Sequence, residues 1–204
     1  MTQPLRQPPP HRSESRVLLG LTGPPGAGKS TYAAGLVERW AATGRSAVVV
    51  GQDGFHLSNE ALAARGLADV KGAPETFDAE GFIALLRRLR SSATSVVRAP
   101  GFDRAHEQTV ADAIEIPPEV DLVVVEGNYL LLDGPWRPVR DLLDEVWYLD
   151  LPDDVRVARL VQRHTGHGRT SAEADEWVQR SDEVNARLVA ATRPLAHATV
   201  PAAS

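Results

Sequence analysis

An α/β domain built on a parallel sheet is the fold class that this sequence predicts, on three observations. A short apolar run, residues 17–22, empties into Gly23-Pro24-Pro25-Gly26-Ala27-Gly28-Lys29-Ser30-Thr31, and helical periodicity follows it. Two further near-continuous apolar runs, 122–125 and 146–150, read as strands covered on both faces, the habit of parallel sheets. Stretches with helical spacing separate these runs, which is the alternation of a βα chain. The length of 204 residues, 43% of them apolar, suits one domain with a sizeable core.

In chain order, residues 1–16 carry Pro4, Pro8, Pro9 and Pro10 among polar neighbours, with nothing to bury. This stretch is expected to be a disordered tail, leaving 17–204 as a single domain. The first strand, 17–22, runs into Gly23, Gly28, Lys29 and Ser30, which fill the phosphate-loop pattern G-x-x-x-x-G-K-[ST]. Glycine lets backbone N–H groups turn onto phosphate oxygens where a Cβ would block them, and the following helix aims its positive end at the same anion. The loop residues Gly23, Pro25, Gly26, Ala27, Gly28, Lys29, Ser30 and Thr31 are therefore assigned to a nucleoside triphosphate. Lys29 serves the β- and γ-phosphates, and the Ser30 hydroxyl serves Mg²⁺.

The helix beginning at Lys29 places Ala33, Leu36, Val37 and Trp40 on one face and stops before Gly44. Residues 47–50 form a second buried strand, which runs out into Gln52-Asp53-Gly54-Phe55-His56. The region 57–73 is loosely patterned, with a helix expected from Asn59 to Arg65. Asp78 is placed to cap a helix over 79–90, whose core face is Phe82, Leu85, Leu86 and Leu89. Segments 95–98 and 113–116 read as an inserted hairpin joined through residues 100–104. The strand at 122–125 ends in Glu126-Gly127-Asn128-Tyr129, and the strand at 146–150 precedes a helix opened by Pro152 and Asp153. A glycine-rich break at 165–169 leads into a helix over 171–191, and residues 196–200 make a marginal last strand.

Composition excludes several classes. Twenty-two basic residues against 27 acidic ones give −5, which argues against a general nucleic-acid surface. The chain has no cysteine, so disulfides and thiolate metal sites are excluded. No run approaches the ~20 apolar residues of a membrane helix, and the N-terminus lacks a signal peptide's apolar stretch. A cytoplasmic protein is expected. The six histidines show no metal-ligand spacing.

Ligands in open α/β sheets lie beyond the carboxyl ends of the strands. Asp53 and Glu126 both fall there. Asp53 could take the proton of an attacking hydroxyl, or could merely order an Asp-Gly turn. Glu126, after four apolar strand residues, is in the position of a Mg²⁺ carboxylate opposite Ser30. Arg159, Arg163 and Arg169 flank the glycine break and form, as a set, a lid closing over transferring phosphates. His56 either touches substrate or orders its loop, and Phe55, Phe102 and Tyr129 line a pocket or pack in the core.

Taken together, GPPGAGKST at 23–31, DGFH at 53–56, PETFD at 74–78, EGNYLLL at 126–132 and RLVQRHTGHGR at 159–169 resemble the uridine kinase, phosphoribulokinase and bacterial pantothenate kinase group of P-loop kinases. Small bacterial nucleoside kinase-like and fructose-transport-associated kinases are the nearest look-alikes. The resemblance implies a three-layer α/β/α sandwich whose parallel core has the order 2-3-1-4-5, with the short hairpin inserted and a helical lid at about 156–171. It implies Asp53 as the base, Lys29, Arg163 and Arg169 as further catalytic residues, and Ser30 with Glu126 at the metal. Two positions depart from the family. Gly72 stands where uridine kinases carry a ribose-holding aspartate, and His167 where the lid commonly has arginine. His56, Lys71, Asp103, Arg104 and Tyr129 are the candidates for contacting the acceptor.

The expected function is phosphorylation, by ATP with Mg²⁺, of a hydroxyl on a small polar metabolite. A sugar-like alcohol ranks ahead of a nucleoside, and pantothenate third. The rival of another class is a regulatory ATPase switch. No nucleic-acid or membrane partner is expected, and oligomeric state and the choice of ATP over GTP stay open.

Overall fold

The computed structural model describes residues 16–91, 94–103, 106 and 108–202. The predicted tail over 1–15 and the candidate Arg104 lie outside them. A parallel five-stranded sheet forms the centre: β1 (Val17–Thr22), β2 (Ala47–Gly51), β5 (Leu122–Glu126), β6 (Glu145–Asp150) and β7 (Ala198–Pro201), in the order β2-β5-β1-β6-β7. With the two hairpin strands left out of the numbering, this is the expected 2-3-1-4-5. β1 pairs with β5 from Val17↔Leu122 to Leu21↔Glu126 and with β6 from Leu19↔Glu145 to Thr22↔Tyr148.

The period-2 alternation of a strand divides each apolar run between two cores. Leu18, Val123, Val125, Val146 and Tyr148 face a core shared with α3 (Ala79–Ser91), α4 (Arg137–Leu142) and the aromatic group of Phe77, Phe82, Tyr129 and Trp136. Leu19, Leu21, Leu122, Val124, Trp147 and Leu149 face a second core with Ala33 and Leu36 of α1 (Lys29–Ala41). Burial on both faces is why these strands lack polar alternation. α2 (Asn59–Ala64) is short, and Ser58 caps it by accepting from Ala61 N. Asp78 caps α3 as expected, its Oδ1 accepting from Gly81 N at 2.9 Å.

Four readings need correction. The hairpin is longer than predicted: β3 (Val97–Asp103) pairs with β4 (Gln108–Ile116), so Pro100 to Asp103 belong to a strand and not to the connection. A register shift between Ala99 and Gly101 absorbs Pro100, which cannot donate to a ladder. Arg16, grouped with the tail, is buried and donates to Pro117 O. α4 and the turn Gly134–Trp136 before it carried no sequence assignment, because Trp136 supplies burial without periodicity.

The fourth correction concerns the C-terminal helical region. α5 (Asp153–Gly166) is followed by α6 (Ser171–Trp177), the π-helical turn Val178–Asp182 and α7 (Glu183–Ala191), where one regular helix was expected. Arg156, at the start of the predicted lid, is 1% exposed and clasped by Asp153 and Glu183. It is a buried strut under the phosphate loop, donating to Pro25 O, and so is no part of the cleft lining that Arg159, Arg163 and Arg169 provide.

Candidate active site

The loop between β1 and α1 is shaped by Gly28, whose φ of +85° at the N-cap of α1 is a conformation that side chains with a Cβ avoid. No acidic residue occupies the first turn of α1, so its partial positive charge is uncompensated by side chains there. Lys29 is buried and closes over the loop, donating from Nζ to Gly23 O at 2.9 Å and Pro24 O at 3.1 Å. Ser30 Oγ donates to Glu126 Oε1 at 3.1 Å, across 96 residues of sequence. The parallel pairing of β1 with β5 produces this contact by bringing Leu21 beside Glu126.

A cleft of about 680 Å³ opens over the loop. Pro25, Gly26, Gly28, Lys29, Ser30 and Thr31 form one side of it, with Glu126 deeper in. Ala27 is fully buried and Gly23 contributes its carbonyl to Lys29, so these two shape the loop without lining the cleft. Asp53, His56 and Lys71 line the cleft, and so do Arg159, Arg163, His167 and Arg169 from the lid. The structure therefore gathers into one space most residues that the sequence nominated.

The acceptor side has its own architecture. Asp53 lies in the short 3₁₀ turn Gln52–Phe55. His56 Nδ1 meets Asp53 O at 2.9 Å, and its ring lies 4.0 Å from Phe77 and 5.0 Å from Phe102, centroid to centroid. His56 thus both orders the turn and faces the cleft. Lys71 Nζ donates to Asn59 Oδ1 at 3.1 Å. Gly72 has φ +101° and its N–H donates to Thr76 Oγ1, a backbone shape that an aspartate would strain.

Two residues nominated for the acceptor do not line the cleft either. Tyr129 is fully buried in the aromatic core, and its hydroxyl donates to Gly72 O. Burial above all, then the charge of Glu75 and those of Asp182 and Asp53, holds that phenol far above its ordinary value, so it stays a donor. Its part is to fix Gly72. Asp103 is engaged by His106, whose Nδ1 lies 2.7 Å from Oδ2 near the hairpin tip. A strand residue followed by a turn gives no hint in sequence of which way it faces.

Sequence reasoning missed Phe77, His164, Trp177, Asp182 and Asn185, all of which line the cleft. Asp182 and Asn185 are 8% and 5% exposed. His164 Nε2 donates to Asp182 Oδ2 at 2.8 Å, and Arg169 packs its guanidinium 4.0 Å over the Trp177 ring. The available signal was polar residues spaced three apart on the inward face of a predicted helix.

The phosphoribulokinase/uridine kinase family model matches residues 18–203. The chain is 38% identical over 190 residues to a Schizosaccharomyces pombe protein named "putative uridine kinase", an alignment covering 87% of this chain and 80% of that one. It is 30% identical over 189 residues to a uridine kinase of Leuconostoc citreum, covering 91% and 87%. Among solved structures, a "putative fructose transport system kinase" from Silicibacter sp. superposes with a TM-score of 0.87 at 43% identity, covering 93% of this chain and 92% of that one.

Proposed function

The chain belongs to the phosphoribulokinase/uridine kinase family, a family of phosphotransferases with alcohol acceptors, and from that premise we propose that it phosphorylates a hydroxyl of a sugar or sugar-like alcohol. Family membership implies ATP as the donor, usually with Mg²⁺. The residues present fit both. Loop amides and the α1 N-terminus suit a triphosphate. The Ser30 hydroxyl bonded to the Glu126 carboxylate offers the oxygen ligands that Mg²⁺ prefers. When bound, MgATP supplies the phosphoryl group and a divalent charge that offsets its negative oxygens.

The chain's own residues do the rest. Lys29 and the loop hold the β- and γ-phosphates in place. Asp53 accepts the proton of the acceptor hydroxyl as that oxygen bonds to phosphorus and ADP departs. Arg163 and Arg169 neutralise charge on the transferring group and, with the lid, exclude water. The observation that carries this reading is the common cleft: Lys29, Ser30 and Glu126 share it with Asp53 and a wall that includes His56, Phe77 and Gly72. A nucleotide switch has no need of that wall. Gly72 in place of an aspartate, in a backbone conformation that an aspartate would rarely adopt, disfavours the ribose grip of a uridine kinase and puts a sugar or polyol first.

The test is a coupled ADP-release assay across sugars, sugar alcohols, nucleosides and pantothenate. The expected result is ATP consumption that depends on an added sugar or polyol. Slow hydrolysis indifferent to every small molecule would remove the kinase reading in favour of a switch.

A further inference from the structure

Asp182 and Asn185 are the most unusual polar side chains in the cleft. Both are more than nine-tenths buried, both line it, and neither belongs to the phosphate machinery. Asn185 lies in the first turn of α7, and Asp182 closes the π-helical turn Val178–Asp182. Such turns add a residue to a helix and recur at functional sites. Asp182 Oδ2 accepts from His164 Nε2 at 2.8 Å, while His164 Nδ1 stands 3.3 Å from Arg169 Nη1. One neutral tautomer satisfies both contacts: Nε2–H donates and Nδ1 accepts. Asp182 is thereby held in one orientation, and both side chains, buried as residues, open into the cleft. Polar groups so largely buried call for hydrogen-bond partners, and the cleft is where a ligand can supply them.

Asp182 and Asn185 line the same cleft as Asp53, His56 and Gly72. One carboxylate oxygen accepts only, whereas an amide both donates and accepts. Two adjacent hydroxyls, each able to donate and accept, match that set. A cationic group does not, because Arg159, Arg163 and Arg169 line the same cleft.

We propose that Asp182 and Asn185 form a second grip for the acceptor, binding neighbouring hydroxyls of a polyhydroxylated compound while Asp53 faces the hydroxyl to be phosphorylated. The assignment rests on the kinase reading for its chemistry but is tested by binding as well as turnover. Asp182→Asn keeps shape and an oxygen for His164, and Asn185→Ala removes the amide.

The wild type and both variants are titrated with D-ribose and uridine, with 2-deoxyribose and 2′-deoxyuridine as their hydroxyl-deleted counterparts, and with D-fructose beside 1-deoxy-D-fructose. Calorimetry reads binding, and ADP release reads kcat and KM. The expected result is a loss of at least about tenfold in affinity and acceptor KM for the compound that wild type accepts, with kcat and the KM for ATP within about threefold. Deleting a hydroxyl from that compound should weaken wild type and leave the variants nearly unchanged. Binding that the variants lose, without turnover in any protein, upholds the grip and removes the kinase reading. Unaltered acceptor KM in both variants overturns the grip and leaves the kinase standing. A raised KM for ATP assigns the pair to the nucleotide and overturns it, as does a wild type that binds no polyhydroxylated probe.

Discussion

On the side of the cleft formed by the phosphate loop, the lining comes from one continuous stretch, Pro25 to Thr31, and a fully buried strand leads into it. The wall where the acceptor is proposed to bind comes from segments as far apart in the chain as Asp53 and Asn185, carried on a 3₁₀ turn, a hairpin strand, a π-helical turn and α7. The first side is local chain geometry anchored in a sheet. The second is tertiary convergence of short irregular elements. A phosphate needs the same amide cradle whatever is being phosphorylated, whereas the acceptor wall has to match one compound, and irregular elements can be re-aimed singly.

If the two sides are separable in this way, changes on one should leave the other's binding intact. The largest expected effect is that of Asp53→Asn: turnover falls at least ~10²-fold with ATP affinity kept, read by initial rates beside nucleotide titration. Full turnover in that variant would show that the proposed base is wrong. Smaller is Gly72→Ala. A Cβ there meets nothing within 4 Å, so the cost is backbone strain at φ +101° and not a clash. A loss of about 1–2 kcal/mol is expected. Thermal unfolding should show this as a Tm lower by about 4 °C, and acceptor KM should rise while ATP KM holds. Equal damage to both constants would mean that the two sides are coupled.

The smallest effect concerns Glu173. It completes a capping box with Thr170 at the start of α6, and the Thr170 backbone and hydroxyl bonds hold its carboxyl below the ordinary 4.5. A depressed folded pKa means that this stabilisation is present above the ordinary value and is lost as pH falls through the depressed one. Amide exchange in α6 should therefore speed up on acidification in the wild type, and Glu173→Gln should show a smaller pH response. A lid helix whose protection ignores both pH and the substitution would leave the box without influence on lid order.

Legibility in the sequence followed the same division. The apolar runs at 17–22 and 122–125 and the loop between Gly23 and Thr31 identified strands, sheet type and phosphate site, because burial on both faces and a backbone cradle each demand particular residues. The position of Asp53 and Glu126 in the cleft was legible because strand ends point to the crevice. Tyr129 was misplaced since a buried tyrosine and a pocket tyrosine look alike in sequence, and only tertiary packing shows its hydroxyl on Gly72. Asp182 and Asn185 went unremarked because a regular helical period was read across 171–191, where a π-helical turn ending at Asp182 interrupts it before α7. Pro100 was read as a turn residue, whereas a bulged two-stranded ribbon accommodates it.

That extra-wide turn between Trp177 and Glu183 also makes the chain sensitive to length at one place. Losing a single residue from 178–182 would let the ladder close as ordinary α-helix, and because such a turn absorbs one extra residue, the helix on either side would keep its facing. The side chains inside the turn would be re-aimed, Asp182 among them, while the strands and the glycine cradle would keep their register. A one-residue gap there in a related gene would accordingly alter one wall of the cleft and leave the phosphate loop as it is.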